Sequence, residues 1–218
     1  MYTLTPSLLA ADPLSIKEQL EIFKATGVHR LHIDIMDGHF VPSFSFGPGL
    51  VAALQRENYF ELDVHLMAEN PELYVSQFAE AGADILTVHY EACSNPEAVL
   101  KIIRENGMRA GLAVKPQTGI KVITPSIWKQ MDMFLVMSVQ PGVKNQSFTY
   151  NALNTIREAK EYVRQNRLST EIEVDGGITM FYFREVLEAG ADAAVVGRAL
   201  FHENLIESIN TYRKYTEK

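Results

Sequence analysis

The chain has 218 residues, 47% of them apolar and 22% charged, the proportions of an ordinary folded protein, which exclude global disorder. Its formal charge of −7 excludes a nonspecific nucleic-acid binder, which needs a basic face, but leaves room for a small anion held by local donors. The single cysteine, Cys93, excludes an internal disulfide and a cysteine-based zinc site, and it fits a reducing compartment.

Short apolar runs alternate with amphipathic stretches along the chain. Strands are expected over 4–9, 31–36, 60–66, 85–89, 110–114, 133–138, 171–175 and 194–197. The helices that follow them in turn are expected over 14–25, 48–57, 72–81, 96–105, 120–130, 150–165, 181–189 and 201–214, with Pro125 interrupting the fifth. Most strand runs are continuously apolar, as in a parallel sheet buried on both faces. Gly27, Gly82, Gly107 and Gly190 each stand between a helix and the next strand, where a left-handed residue ends the helix. Glu80-Ala81-Gly82-Ala83-Asp84 and Glu188-Ala189-Gly190-Ala191-Asp192 fill the same slot in two units. Eight units in 218 residues, about 27 residues apiece, lie near the small end for a (β/α)₈ barrel. No linker divides them. A single α/β domain over 1–218, a (β/α)₈ TIM barrel of parallel strands, is therefore expected, with a doubly wound open sheet as the alternative. The first residues lack the basic start and apolar stretch of a signal peptide, and no run approaches the roughly 18 apolar residues of a membrane span. A cytoplasmic protein with no membrane contact is expected.

Polar residues gather at the strand ends. In Leu31-His32-Ile33-Asp34-Ile35-Met36-Asp37-Gly38-His39 the pleat puts His32, Asp34 and Met36 on one face. Asp63-Val64-His65-Leu66-Met67 again places a His and then a Met together, and Glu171-Ile172-Glu173-Val174-Asp175 ends in a carboxylate before Gly176 and Gly177. Imidazoles and carboxylates suit a divalent ion such as zinc, manganese or iron. Two histidines and two carboxylates from three strand ends would make one compact site. The plainer alternative stays open: His32 as a neutral imidazole bonded to a nearby carboxylate, His65 as a structural residue, and Met36, Met67 and Met137 as core filling. The recurrence of His and then Met on two strands favours a site.

Backbone donors form a second group. The stretch 139–148 follows the sixth strand, Gly176-Gly177 the seventh, and Gly197-Arg198-Ala199 the eighth. Barrels of this kind often hold phosphate on the loops after the last strands, where glycine lets the backbone approach an anion. His89, ending the fourth strand beside Tyr90 and Glu91, is expected to contact substrate. His29 is expected at the surface, His39 in a structural loop role, His202 at a helix start, and Trp128 and Phe181-Tyr182-Phe183 in packing or subunit contacts.

The residues from Pro6-Ser7 to Asp12, the stretch 31–42, Asp63 to Met67, Phe134 to Gly142, and Glu173 to Ile178 resemble the ribulose-phosphate 3-epimerase family, in order from about residue 4 to residue 201. The pattern His-x-Asp-x-Met-Asp-Gly-His-Phe-Val-Pro is the most specific part. The resemblance implies a (β/α)₈ barrel, homo-oligomers, one divalent metal ion (zinc, manganese, iron or cobalt), and inversion of C3 in a ketose phosphate, ribulose 5-phosphate to xylulose 5-phosphate. It also implies His32, Asp34, His65 and Asp175 as metal ligands, Asp34 and Asp175 as the acid/base pair, Ser7 against substrate or base, and Met36, Met67 and Met137 as the floor.

Three departures from the family pattern stand out. Lys115-Pro116 replaces the usual Asn-Pro, and the loop after the sixth strand reads Pro141-Gly142-Val143-Lys144-Asn145-Gln146-Ser147-Phe148, without the family's second and third glycines. After the eighth strand, Gly-Ser has become Gly197-Arg198. Gly142, Lys144, Asn145, Gln146, Gly176, Gly177, Gly197 and Arg198 are thus expected to form a phosphate site rebuilt with side-chain charge. The altered loop keeps a hexulose 6-phosphate such as allulose 6-phosphate open as the substrate. A decarboxylase or aldolase using Lys115, and a non-catalytic sugar-phosphate-binding relative, are weaker alternatives.

Overall fold

The computed structural model describes residues 2–143, 145–201 and 204–216. Eight parallel strands form one sheet: β1 (Thr3–Pro6), β2 (Arg30–Met36), β3 (Glu61–Met67), β4 (Ile85–His89), β5 (Arg109–Val114), β6 (Met133–Met137), β7 (Glu171–Asp175) and β8 (Ala193–Val196). The ladder runs β1-β8-β7-β6-β5-β4-β3-β2, and a parallel bridge between Ser7 and His32 closes the seam from β1 to β2. The described residues form a (β/α)₈ barrel rather than an open doubly wound sheet. Its helices are α1 (Ile16–Ala25), α2 (Pro48–Gln55), α3 (Val75–Ala81), α4 (Pro96–Glu105), α5 (Pro125–Trp128), α6 (Asn151–Gln165), α7 (Met180–Ala189) and α8 (Leu205–Arg213).

Several elements start or stop a few residues from where the sequence puts them, the last helix beginning at Leu205, and three differ in kind. The first strand stops at Pro6, and Leu8–Ala10 make a single 3₁₀ turn. Ser7, between the strand and that turn, donates its hydroxyl to Asp34. In the fifth unit, Ile120–Val122 form a 3₁₀ turn, and helix begins only at Pro125. The ring supplies no N–H and is tolerated at the first helical position, where the Thr124 side chain caps the Ile127 N–H. The third helix begins at Val75 after a separate 3₁₀ turn over Pro71–Leu73.

Strand alternation divides the core in two. Outward residues such as Ile33, Ile35, Val64, Leu66, Leu112, Phe134 and Val174 belong to one large apolar cluster that includes Phe23, Phe78, Ile103 and Phe183 from the helices. Inward residues are largely polar, and register stacks them in layers. Arg30 pairs with Glu61, His32 with Asp63, Asp34 with His65, and Met36 with Met67. Inside the barrel, space is short: a Cβ on Gly111 would lie 2.0 Å from the Thr87 hydroxyl. No helix among the described residues is long and apolar enough to cross a membrane.

Candidate active site

At the C-terminal mouth of the barrel, β2 and β3 supply Asp34 and His65, β7 supplies Asp175, and His32 rises from one layer below. One ligand atom from each of these four residues lies within 4.8 Å of the other three. Asp34 is the hub. Ser7 Oγ donates to its Oδ2 at 2.7 Å, while Oδ1 lies 3.3 Å from His65 Nδ1 and 3.5 Å from His32 Nε2.

The imidazoles are held from behind. His32 Nδ1 lies 2.6 Å from Asp63 Oδ2, the arrangement in which a carboxylate fixes a histidine's tautomer and turns its other nitrogen to a metal. That other nitrogen, Nε2, is buried and has no hydrogen-bond partner. Burial would lower the pKa of His32, but Asp63 and Asp34 outweigh it and hold the ring well above its usual value. Asp63 and Asp34 thus favour positive charge at this point, which a metal ion would also supply. An unpartnered imidazole nitrogen within a His/Asp donor set fits a divalent ion.

The two carboxylates titrate apart. Burial alone would raise Asp34, but the imidazoles of His32 and His65 beside it outweigh that and hold it well below the usual range. Asp175 is pushed up to about 6, first by burial and then by the charge of Asp34. Two carboxyl groups with separated affinities in one site are what an acid/base pair needs.

The remaining expected residues fall in three places. Met36 and Met67 pack with Val41 against Phe40, and Met137 packs with Ala113 and Leu135. Ser43 Oγ donates to the Gly142 carbonyl at 2.9 Å, tying the loop after β2 to the loop after β6. Gly142 has φ +70, and a Cβ there would lie 2.4 Å from that of Val41, so the approach of the two loops needs glycine. Gln146 braces its own loop, accepting from the Gln140 N–H and donating to the Gln140 and Val143 carbonyls. The Ser138 hydroxyl donates to the Gly176 carbonyl, and Gly177 backs onto Phe148. Gly197 faces Ala10 and Ser7. Arg198 crosses from the loop after β8 to donate to Asn145 Oδ1 at 2.8 Å, and Asn145 takes φ +60 where the family has glycine. Lys144 and His202 lie outside the described residues.

His89 needs a correction. It is buried with both ring nitrogens engaged, by His65 and by Glu91, so it sits behind a site residue and offers substrate no free polar atom. The Lys115 Nζ lies over the Phe40 ring, 4.1 Å from its centre. The reading of the sequence passed over Asp63 and Glu173 as site residues. Burial and then the charge of Asp63 push Glu173 well above the usual carboxylate range, and Thr5 donates to it at 3.1 Å. Period two was the available signal: Asp63 and Glu173 each stand two positions before a site residue, on the same face.

Residues 3–201 match the Ribulose-phosphate 3 epimerase family. Ribulose-phosphate 3-epimerase of Bacillus subtilis is 38% identical over 205 residues, covering 94% of each chain. The enzyme of that name from Synechocystis is 40% identical over 207 residues, 94% of this chain and 90% of its own. Among solved structures, 3-hexulose-6-phosphate synthase superposes with a TM-score of 0.69 at 17% identity, over 97% of this chain and 98% of its own. The 3-keto-L-gulonate-6-phosphate decarboxylase of Vibrio cholerae gives 0.68 at 15% identity, over 99% and 97%. These two likenesses speak for the fold alone.

Proposed function

The chain belongs to the ribulose-phosphate 3-epimerase family, an isomerase family of carbohydrate metabolism, and from that premise we propose that it interconverts ribulose 5-phosphate and xylulose 5-phosphate. Asp34 and Asp175 move the proton, and His32, Asp34, His65 and Asp175 hold one divalent metal ion. The observation that carries this reading is the convergence of those four residues around the unpartnered Nε2 of His32.

Inverting a carbon beside a ketone requires its proton to leave from one face and another to arrive on the opposite face. A carboxylate in water is too weak a base to do this unaided. The ion, when bound, supplies positive charge beside the C2 and C3 oxygens, where negative charge collects as the proton leaves. Asp34, set beside His32 and His65 and oriented by the Ser7 hydroxyl, is the carboxylate that accepts the proton on one face. Asp175, on the strand end of β7, holds or releases the proton on the other face, and the roles exchange when the reaction runs backward. Met36, Met67 and Met137 present apolar walls that keep water from the deprotonated sugar.

Arg198, bridged to Asn145, together with Lys144 and the glycine-bearing turns at Gly142, Gly176, Gly177 and Gly197, is assigned to the phosphate. Arg198→Ser is expected to raise KM for the ketose phosphate about tenfold, the effect of losing one charge-assisted hydrogen bond, with kcat little changed. An unchanged KM would place Arg198 outside the phosphate site. The same bridge, standing where relatives have glycine, supports a second reading in which a hexulose 6-phosphate is preferred. The metal is read as zinc, manganese, iron or cobalt. A cytoplasmic location follows from the charged, membrane-impermeant substrate, and Phe181, left exposed, fits a homo-oligomer contact.

The test is turnover of both sugars together with metal analysis and solvent deuterium. Incorporation of deuterium at C3 by metal-containing protein is expected, with the pentulose the better substrate. Protein that carries no metal and exchanges nothing at C3 would overturn the reading, and a clear preference for the hexulose would replace the substrate.

A further inference from the structure

We propose that Glu91 and His89 form a tautomer relay that turns the Nδ1 lone pair of His65 toward the metal, which makes both of them positioning residues of the site. The relay rests on the reading of His65 as a metal ligand.

His65 on β3 and His89 at the end of β4 face one another with ring centres 5.0 Å apart, and their Nε2 atoms are 2.9 Å apart. Two imidazole nitrogens at that distance share a single proton, so one ring donates and the other accepts. The far side of His89 decides which. Its Nδ1 lies 3.4 Å from Glu91 Oε2. The other oxygen of Glu91 accepts from the Lys115 backbone N–H at 2.8 Å and from the Thr118 hydroxyl. Burial would raise Glu91, but these hydrogen bonds and His89 hold it at about 2. Glu91 is therefore a carboxylate that only accepts.

The rest follows by donor and acceptor matching. His89 must carry its proton on Nδ1 to meet Glu91, so its Nε2 is a lone pair. His89 is fully buried, with the Phe40 ring tilted against it at 4.9 Å between centres. His65 must then donate from Nε2, which leaves its Nδ1 bare. That atom faces Asp34 Oδ1 at 3.3 Å. Two acceptors set face to face repel unless a cation lies with them. The relay thus prepares, on the β3 side, what the Asp63 carboxylate prepares for His32 on the β2 side. Its source is the sequence Val88-His89-Tyr90-Glu91, whose Glu lies in the 3₁₀ turn that follows β4.

Glu91→Gln tests this with almost no change of shape. The Lys115 N–H is fixed in the backbone and must meet an acceptor, so the amide oxygen takes the Oε1 position. The amide NH₂ then points at His89 Nδ1 and forces the proton of His89 onto Nε2, against His65. Zinc affinity, measured by competition with a chelator on the intact protein, is expected to fall about 10- to 100-fold. Thermal melting of the metal-free variant is expected to match wild type. In zinc-loaded wild type, ¹⁵N imidazole NMR is expected to show His89 protonated at Nδ1 and His65 at Nε2, a signature that needs no variant. Unchanged zinc affinity in Glu91→Gln, or a His89 proton on Nε2 in wild type, would overturn the relay while leaving the metal site standing. Wild type that takes up no zinc would overturn the metal site and the relay together.

Discussion

Asp175→Asn is expected to lower kcat by about three to four orders of magnitude, the upper end of what general acid–base catalysis contributes. Asparagine keeps the shape of the side chain but neither takes nor returns a proton near pH 7. Asp34→Asn is expected to be as severe for a different reason. Its carboxylate is the hub shared by Ser7, His32 and His65, so the substitution removes a proton acceptor and the negative charge that faces both imidazoles. Far-UV circular dichroism and melting are expected to show the barrel intact, because both side chains lie at the mouth, outside the large apolar cluster that joins strands to helices. Solvent deuterium at C3, followed by NMR in each direction, separates the two roles: a variant missing one of the two acids is expected to lose inversion in both directions. Exchange at the wild-type rate in either variant would contradict a two-carboxylate mechanism.

Asp34 was legible because it stands among apolar residues on its strand, where a charge has few structural justifications, and Asp175 because it ends its strand before Gly176 and Gly177. Most of the strands were legible as short apolar runs bounded by polar joints, while 31–36, 60–66 and 171–175 showed instead as apolar and polar residues in alternation. The shortfalls have local causes. Leu8 and Leu9 continue an apolar run, yet the strand stops at Pro6 and the backbone turns back on itself in the 3₁₀ turn Leu8–Ala10, where the Ala10 N–H donates to the Ser7 carbonyl. The periodicity around Ile120 and Ile127 suggested one helix, but Pro125 can only begin one. For His89, position at a strand end signalled the active face correctly. The direction of its ring depends on Glu91, Lys115 and Thr118 together, and three partners from two units leave no pattern along the chain. Asp63 and Glu173 were visible as residues, and only the closure of the barrel shows that they meet.

Arg30→Met is expected to destabilise the protein by about 3 kcal/mol, the lower end of what breaking a buried ion pair costs. Arg30, Glu61, Arg109 and Glu171 are the first residues of β2, β3, β5 and β7, and together they close the barrel at the end away from the site. Arg30 donates to Glu61 at 2.6 Å and to both oxygens of Glu171 at 2.6 and 3.2 Å, with its side chain only 8% exposed. Arg109 binds the same two glutamates and is 36% exposed, so it retains part of the neutralisation and moderates the loss. For a chain of this length the corresponding fall in Tm is about 6–12 °C. Acidity provides the diagnostic. Burial would raise Glu171, but Arg30 and Arg109 outweigh it and hold the carboxyl below its usual range. Its contribution is therefore complete above the ordinary glutamate value, about 4.3, and is lost as pH falls toward the lower folded value. Wild type should consequently lose stability in acid more steeply than Arg30→Met. Urea titrations at pH 7 and at about pH 3 are expected to show the gap between the two proteins narrowing at the lower pH. A gap that stays constant would mean that Arg30 acts by packing its long aliphatic stem rather than by charge, since methionine would then fail for reasons of shape and not for want of a cation at the base of the barrel.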